Sequence, residues 1–285
     1  QAGSTQLNLT WNDNSSNPSD FKIERKEGAG GFVEIGTTTA PENSFQDMGL
    51  APRTTYTYRV IATNATGDSA PSNEATGMTL PLPPGVPMAV TVQPVSQTSL
   101  RVNWTYAGND ETGFKIERSA TGTDGWILVG TAVQDATTFL DQGLLPETTY
   151  YYRVIATNAG GDSAPSSVAS GTTLPNAPSA PSGLTVTVPA APAGSSELVL
   201  NWNDNSTNET GFKIERSTDS FANPANTVLV TTTAAGATSY TDTGLSADTV
   251  YYYRVRATNA AGDSASSNVA SGRTLPAAPA APSGL

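Results

Sequence analysis

The pentapeptide Phe-Lys-Ile-Glu-Arg occurs three times in this chain, at Phe21–Arg25, Phe114–Arg118 and Phe212–Arg216. A tryptophan stands ten residues ahead of each copy, at Trp11, Trp104 and Trp202. Behind each copy comes a tyrosine-rich run, Thr55–Ser72, Thr149–Ser166 and Val250–Ser267, that ends in Asn, Gly-Asp and Ser. Successive tryptophans lie 93 and 98 residues apart. Solenoid units repeat every 20–50 residues or so, whereas single domains run to about 100–150, so this period marks a repeated domain. The chain is a tandem array.

Inside each copy the apolar residues alternate with polar ones. Leu7, Leu9 and Trp11 share one face, as do Leu100, Val102 and Trp104, and Leu198, Leu200 and Trp202. Phe21 and Ile23 oppose Lys22 and Glu24, and Tyr56, Tyr58, Val60 and Ala62 alternate with Thr57, Arg59 and Ile61. A period of two is that of a half-buried strand, and no stretch carries an apolar stripe at helical spacing. Asn/Asp/Gly clusters punctuate the strands at turn-like intervals, which predicts all-β sandwiches. Proline-rich links separate the copies, Leu80–Pro87 and Leu174–Pro181, and proline's fixed φ makes such links semi-rigid. The expected boundaries are 1–80, 85–174 and 180–275. Residues 279–285 repeat the Pro-Ser-Gly-Leu opening of the third copy and predict the start of a further module or a linker, while the first copy begins at its tryptophan strand and lacks the strand before it.

Composition narrows the chemistry. The chain has no cysteine and no histidine, which removes thiol nucleophiles, Ser-His-Asp triads and imidazole- or thiolate-ligated metals. With 25 acidic and 14 basic residues the formal net charge is −11, the wrong sign for a phosphate backbone, so no nucleic-acid partner is expected. No run of 18 apolar residues exists, so no membrane insertion by a helix is expected.

These residues resemble the fibronectin type III domain in its bacterial extracellular form. The resemblance implies tandem immunoglobulin-like β-sandwiches of fibronectin type III type, each with two sheets of strands ABE and C'CFG. It implies a structural core of Trp11, Trp104 and Trp202 on strand B, Phe21, Phe114 and Phe212 on strand C, and the corner tyrosines Tyr56, Tyr150 and Tyr251. Leu50, Pro52 and Thr54 precede Tyr56 in the corner pattern; the third copy has Ala247 where the others have proline. The Arg-Gly-Asp tripeptide of some animal modules is absent from all three F–G turns.

Sharper roles are weighed against plainer ones. Trp126, Tyr151 and Tyr252 are candidate surface contacts, with cross-strand packing as the plain reading. Trp126 and Phe32 open equivalent strands, where the third copy offers Val228-Leu229-Val230; alternation predicts that Trp126 and Leu128 face one way and Ile127 and Val129 the other. Asn12–Asn14, Asn109–Glu111 and Asn203–Asn205 carry oxygen donors but no calcium-loop spacing, and Asn/Asp turns form without metal. A pair of catalytic carboxylates is expected once in a chain, yet Glu24, Glu117 and Glu215 are copied threefold and read as ion-pair partners on a solvent face. No catalytic residue, cofactor or metal ligand is assigned.

The expected role is a non-catalytic structural spacer or adhesion array of a secreted or cell-surface protein, with a bacterium as its expected source. Two alternatives stand beside it: a self-assembling filament or surface-layer component using strand donation, and accessory modules of a polysaccharide-degrading enzyme. The expected partners are other modules of the same polypeptide, with identical copies or extracellular polysaccharide as further candidates.

Overall fold

The computed structural model describes residues 2–280, so the expected start of a further module falls mainly on residues outside the described range. Among the described residues the chain is all-β, interrupted only by two short 3-10 turns, Ala193–Ser195 and Pro224–Asn226. Module 1 contains β1 (Gln6–Thr10), β2 (Asp20–Glu27), β3 (Val33–Thr39), β4 (Ser44–Met48), β5 (Thr55–Asn64), β6 (Gly67–Asp68) and β7 (Ala75–Met78). Module 2 contains β8 (Met88–Ser96), β9 (Ser99–Thr105), β10 (Gly113–Ser119), β11 (Ile127–Val133), β12 (Thr138–Gln142), β13 (Thr149–Asn158), β14 (Gly161–Asp162) and β15 (Ala169–Thr172). Module 3 contains β16 (Ser182–Thr187), β17 (Leu198–Asn203), β18 (Gly211–Ser217), β19 (Val228–Thr232), β20 (Ser239–Asp242), β21 (Val250–Asn259), β22 (Gly262–Asp263) and β23 (Ala270–Arg273).

Each module has a larger sheet centred on the Phe-Lys-Ile-Glu-Arg strand. Its order is β3-β2-β5-β6 in module 1, β11-β10-β13-β14 in module 2 and β19-β18-β21-β22 in module 3, and β7, β15 and β23 continue along the outer strand of each. The smaller sheet is β12-β9-β8 in module 2 and β16-β17-β20 in module 3, but only β1-β4 in module 1. These are the two layers that the alternating pattern requires, each burying one face.

By packing, the chain divides into two compact units. The first holds residues 1–92, 101–141 and 150–170, and the second holds residues 93–100, 142–149 and 171–285. Module 1 lies wholly in the first and module 3 wholly in the second. The core of module 3 gathers Leu184, Leu198, Leu200, Trp202, Phe212, Ile214, Tyr253 and Val255, all buried. That of module 1 is smaller: Leu7, Ile23, Leu50, Tyr56 and Tyr58 are buried, while Leu9 and Trp11 are only partly so.

In every module the tryptophan meets the phenylalanine of the pentapeptide edge-on or tilted, with ring centroids 5.5, 5.3 and 5.6 Å apart. Phe21, Phe114 and Phe212 are buried, and so are Trp104 and Trp202. Trp11 packs against the core of module 1 and against Phe21, but in a more open setting than its counterparts. It is half-buried and walls a surface cavity of about 340 Å³ together with Phe21, Val60 and Ala62. In the smaller sheet β1 pairs with β4 and otherwise meets only Ala2, in a single bridge to Leu7, whereas β17 of module 3 has the whole of β16 along its other edge.

The tyrosine corner is formed by a hydroxyl that accepts a backbone N–H five residues upstream, Ala51 to Tyr56 at 3.0 Å and Ser246 to Tyr251 at 3.1 Å. Tyr56 and Tyr251 are buried. Tyr150 is half-buried, with the Arg118 guanidinium 5.2 Å from its ring centre.

Candidate functional surface

The outer face of each larger sheet carries the same ladder of charges. Strand alternation sends the Lys and Glu of the pentapeptide to solvent, and antiparallel register sets them beside the following tyrosine strand, where Glu24 pairs with Arg59, Glu117 with Arg153 and Glu215 with Arg254. The carboxylate–guanidinium distances are 2.5, 2.6 and 2.5 Å. Lys22, Lys115 and Lys213 reach the hairpin carboxylates Asp68, Asp162 and Asp263 at 2.6–2.8 Å. The lysine hydrogen bond holds all three of these carboxyls below their ordinary range. Each acid therefore has a partner in its own module, and these six carboxylates do not converge on a reacting centre.

Trp126 lies in this ladder. It is half-buried and precedes β11, with the Arg153 guanidinium 4.4 Å from its ring centre. Phe32 has Arg59 at 4.0 Å and Lys26 at 4.5 Å. In module 3 the ring beneath Arg254, at 4.3 Å, is Phe221, supplied by the loop after β18 and not by Val228–Val230. The third copy thus keeps the arginine-on-ring arrangement that its strand sequence lacks. Phe221 and its neighbour Ser220 hold φ of +62° and +59°, a conformation uncommon for side chains other than glycine, and so the loop is bent to place this ring. A guanidinium already seated on the ring, and itself tied to a glutamate, makes a cation–π and ion-pair cluster that covers one aromatic face.

The predicted alternation at Trp126–Val129 is corrected here. The register of β10 against β11 shifts between Ile116 and Glu117, so that Glu117 faces Leu128 while Ile116 faces Gly130. Such a bulge breaks the period of two, and Ile127 and Leu128 are both more than half exposed. The same shift recurs in the other modules, leaving Val33 and Val228–Leu229 exposed.

Tyr151 and Tyr252, the other candidate contacts, are half-buried. Tyr151 lies across from Ser119, and its ring leaves no room for a side chain at Gly122, where an added Cβ would sit 2.7 Å from it. Tyr252 lies between Ser217 and Ser271 of the flanking strands. The Asn/Asp clusters form local turns: Asp13 accepts the Ser15 amide at 2.8 Å and Asp204 the Ser206 amide at 2.9 Å. Among the described residues no group of three or more acidic side chains stands together as a metal site.

A further set escaped sequence reasoning. Asp47, Asp141 and Asp242 point inward and are nearly inaccessible. Each accepts a tyrosine hydroxyl, from Tyr58, Tyr152 and Tyr253 at 2.7–2.8 Å, and each meets an arginine, Arg25, Arg118 or Arg216, at 2.7–2.9 Å. Burial, and then the neighbouring aspartate, raises all three tyrosine hydroxyls well above their ordinary range. The signal was present: an acid copied threefold at an inward position, two residues after Phe45, Phe139 and Tyr240.

Comparisons with known proteins agree with this architecture. The fibronectin type III domain family matches residues 1–78, 85–172 and 179–273. The chain is 34% identical to Exoglucanase B of Cellulomonas fimi over 95% of its own length and 24% of that protein's. It is 32% identical to Endoglucanase B of Cellulomonas fimi over 60% of its length and 17% of that protein's. It is 35% identical to the cell adhesion molecule Dscam1 of Drosophila melanogaster over 35% of its length and 5% of that protein's. The chain therefore spans a quarter or less of these relatives. The chicken CNTN1 FN1–FN3 domains share the fold, with a TM-score of 0.51 at 24% identity over 96% of each chain. No helix among the described residues is long and apolar enough to cross a membrane.

Proposed function

Because the chain belongs to the fibronectin type III domain family, we propose that it is a non-catalytic spacer array of an extracellular, multidomain protein. One observation carries this reading. The charged side chains of the outer faces find their partners inside their own module, in three equivalent copies. Such a face is stabilised from within and presents no convergent acid pair, open nucleophile or vacant cation cluster to a substrate. What the modules offer is length and resistance to unfolding.

Pulling single molecules through the two termini tests this. A load-bearing array gives separate unfolding events for the modules, with the extra contour length of about 3.3–3.6 Å per released residue. Collapse of the whole chain in one event, or extension without resolvable events, rejects the role.

A second reading is favoured by one specific finding, the 34% identity to Exoglucanase B over nearly the entire chain. On that reading the array spaces the domains of a polysaccharide-degrading enzyme. Co-sedimentation with insoluble cellulose separates spacing from sugar binding. A pure spacer stays in the supernatant, and Trp126→Ala leaves it there. Retention that Trp126→Ala abolishes instead establishes a sugar platform.

A further inference from the structure

The last residue of the long tyrosine strand in each module is an asparagine: Asn64, Asn158 and Asn259. Its own turn fixes the side chain. The Oδ1 atom accepts the amide two residues on, from Thr66 at 2.9 Å, Gly160 at 2.7 Å and Ala261 at 2.8 Å. That leaves the Nδ2 protons aimed at the loop ahead of the pentapeptide, where they meet the carbonyls of Asn17, Asp110 and Asn208 at 3.2, 2.9 and 3.1 Å. In modules 2 and 3 the same Nδ2 makes one more bond. Asn158 donates to the Leu82 carbonyl at 2.9 Å, and Asn259 to the Asn176 carbonyl at 2.8 Å.

Leu82 and Asn176 hold the same place in their links, the third residue of Leu80-Pro81-Leu82 and of Leu174-Pro175-Asn176. Proline lacks an N–H, so a proline-rich segment offers a neighbour mainly carbonyl acceptors. A fixed amide donor is the complementary group. Other contacts reinforce each seat. Tyr106, whose hydroxyl is pushed up to about 12 by burial and then by Asp110, accepts the Gly85 amide at 3.1 Å and donates to Asp110 at 2.6 Å. At Gly160 the first link passes so closely that an added Cβ would lie 2.0 Å from the Pro81 carbonyl oxygen. On the second link Asn208 joins Asn259 on the Asn176 carbonyl, and Asn205 takes the Ala180 carbonyl at 2.9 Å.

From this we infer that the strand-ending asparagine is a docking residue for the extended, proline-bearing segment that leads into its module. The links are then not free tethers stiffened by proline alone. Each is seated on the module that follows it, and the pair resists proteolysis together. The docking stands on these contacts whether or not the array serves as a spacer.

Limited digestion of the full chain with a proline-specific endopeptidase tests the inference. Asn158→Ala should speed cleavage within residues 79–87 by about fivefold to tenfold, the factor for losing one hydrogen bond, and leave cleavage within 174–181 unchanged. Asn259→Ala should do the reverse. Asn64→Ala, whose side chain holds no link among the described residues, should change neither. Gly160→Ala keeps the asparagine and crowds the segment out, so it should match Asn158→Ala. Unaltered cleavage in Asn158→Ala and Gly160→Ala overturns the inference. Acceleration at 79–87 no greater than at sites inside module 2 also overturns it, because that pattern reports unfolding of the module.

Discussion

Modules 1 and 3 repeat the same anchor residues in different surroundings. Trp202, Val255, Ala257, Ser264 and Ser267 are buried, whereas their counterparts Trp11, Val60 and Ala62 are half-buried and Ser69 and Ser72 are exposed, the five together lining one open cavity. The hydrogen bonds are unchanged: Ser72 and Ser267 each accept a backbone amide at 3.0 Å, from Val60 and Val255. What differs is the strand β16, which brings Leu184 and Val186 over the core of module 3. An anchor residue thus supplies a contact, and its neighbour strand decides whether water is excluded from it.

The largest test of this comparison is at the tryptophans. Trp202→Ala should cost module 3 about 3–5 kcal/mol, since a buried ring leaves a cavity as well as losing transfer energy. Trp11→Ala should cost less than half as much, read by denaturant-dependent hydrogen exchange resolved by module. Equal losses would break the comparison. The serines come next. Ser267→Ala strands the buried amide of Val255, at a cost of about 1–3 kcal/mol, while in Ser72→Ala water replaces the hydroxyl and the melt of module 1 should hardly move.

The inward aspartates sharpen the comparison by failing to follow it. Asp47 and Asp242 are 5% and 2% exposed, so Tyr58→Phe and Tyr253→Phe should destabilise their modules alike, by about 1–2 kcal/mol each, in thermal or denaturant unfolding. Alkali should act on both modules. The folded tyrosines keep their protons above the ordinary value of about 10, so this contribution is whole below pH ~10 and is lost as pH rises beyond it. Phenolate absorbance should therefore appear for these residues only as the modules unfold. Smallest is the exposed Lys213–Asp263 pair, where a double-mutant cycle should give about 0.2–1 kcal/mol. Because Asp263 titrates below its unfolded value of about 3.9, that contribution is present above this pH and fades as pH falls through the folded value.

Much of this was legible because it is local. Alternation placed Phe21, Ile23 and the tyrosines on their faces, while the ring contacts between Trp and Phe were not foreseen. The pentapeptide glutamates also read correctly as ion-pair partners on a solvent face. Other features depend on distant chain and were not legible. The half-exposure of Trp11 depends on what pairs beside β1: the sequence signalled the sparse pairing there but not its effect on the ring. The bulge between Ile116 and Glu117 that exposes both Ile127 and Leu128 has no residue of its own to announce it. Phe221 hid in a loop whose length differs from that of its siblings, so strand-by-strand alignment passed over it. The inward aspartates were visible as repeats but were passed over, because acids are counted with the surface unless a partner is in view.

Three nearly identical central strands in one polypeptide carry a hazard of their own. A nascent or refolding chain can seat the pentapeptide strand of one module in the sheet of another, the misassembly characteristic of repeated domains. The arginine-covered ring bears on this. In modules 1 and 2 it is joined to the next strand, at Phe32 and Trp126, but in module 3 it comes from the bent loop that carries Phe221. A pentapeptide strand from module 1 or 2 seated in module 3 without the strand that follows it would bring no ring to Arg254, whose cover comes from the loop after β18. At this one place the three otherwise matching modules draw the same contact from different segments of chain.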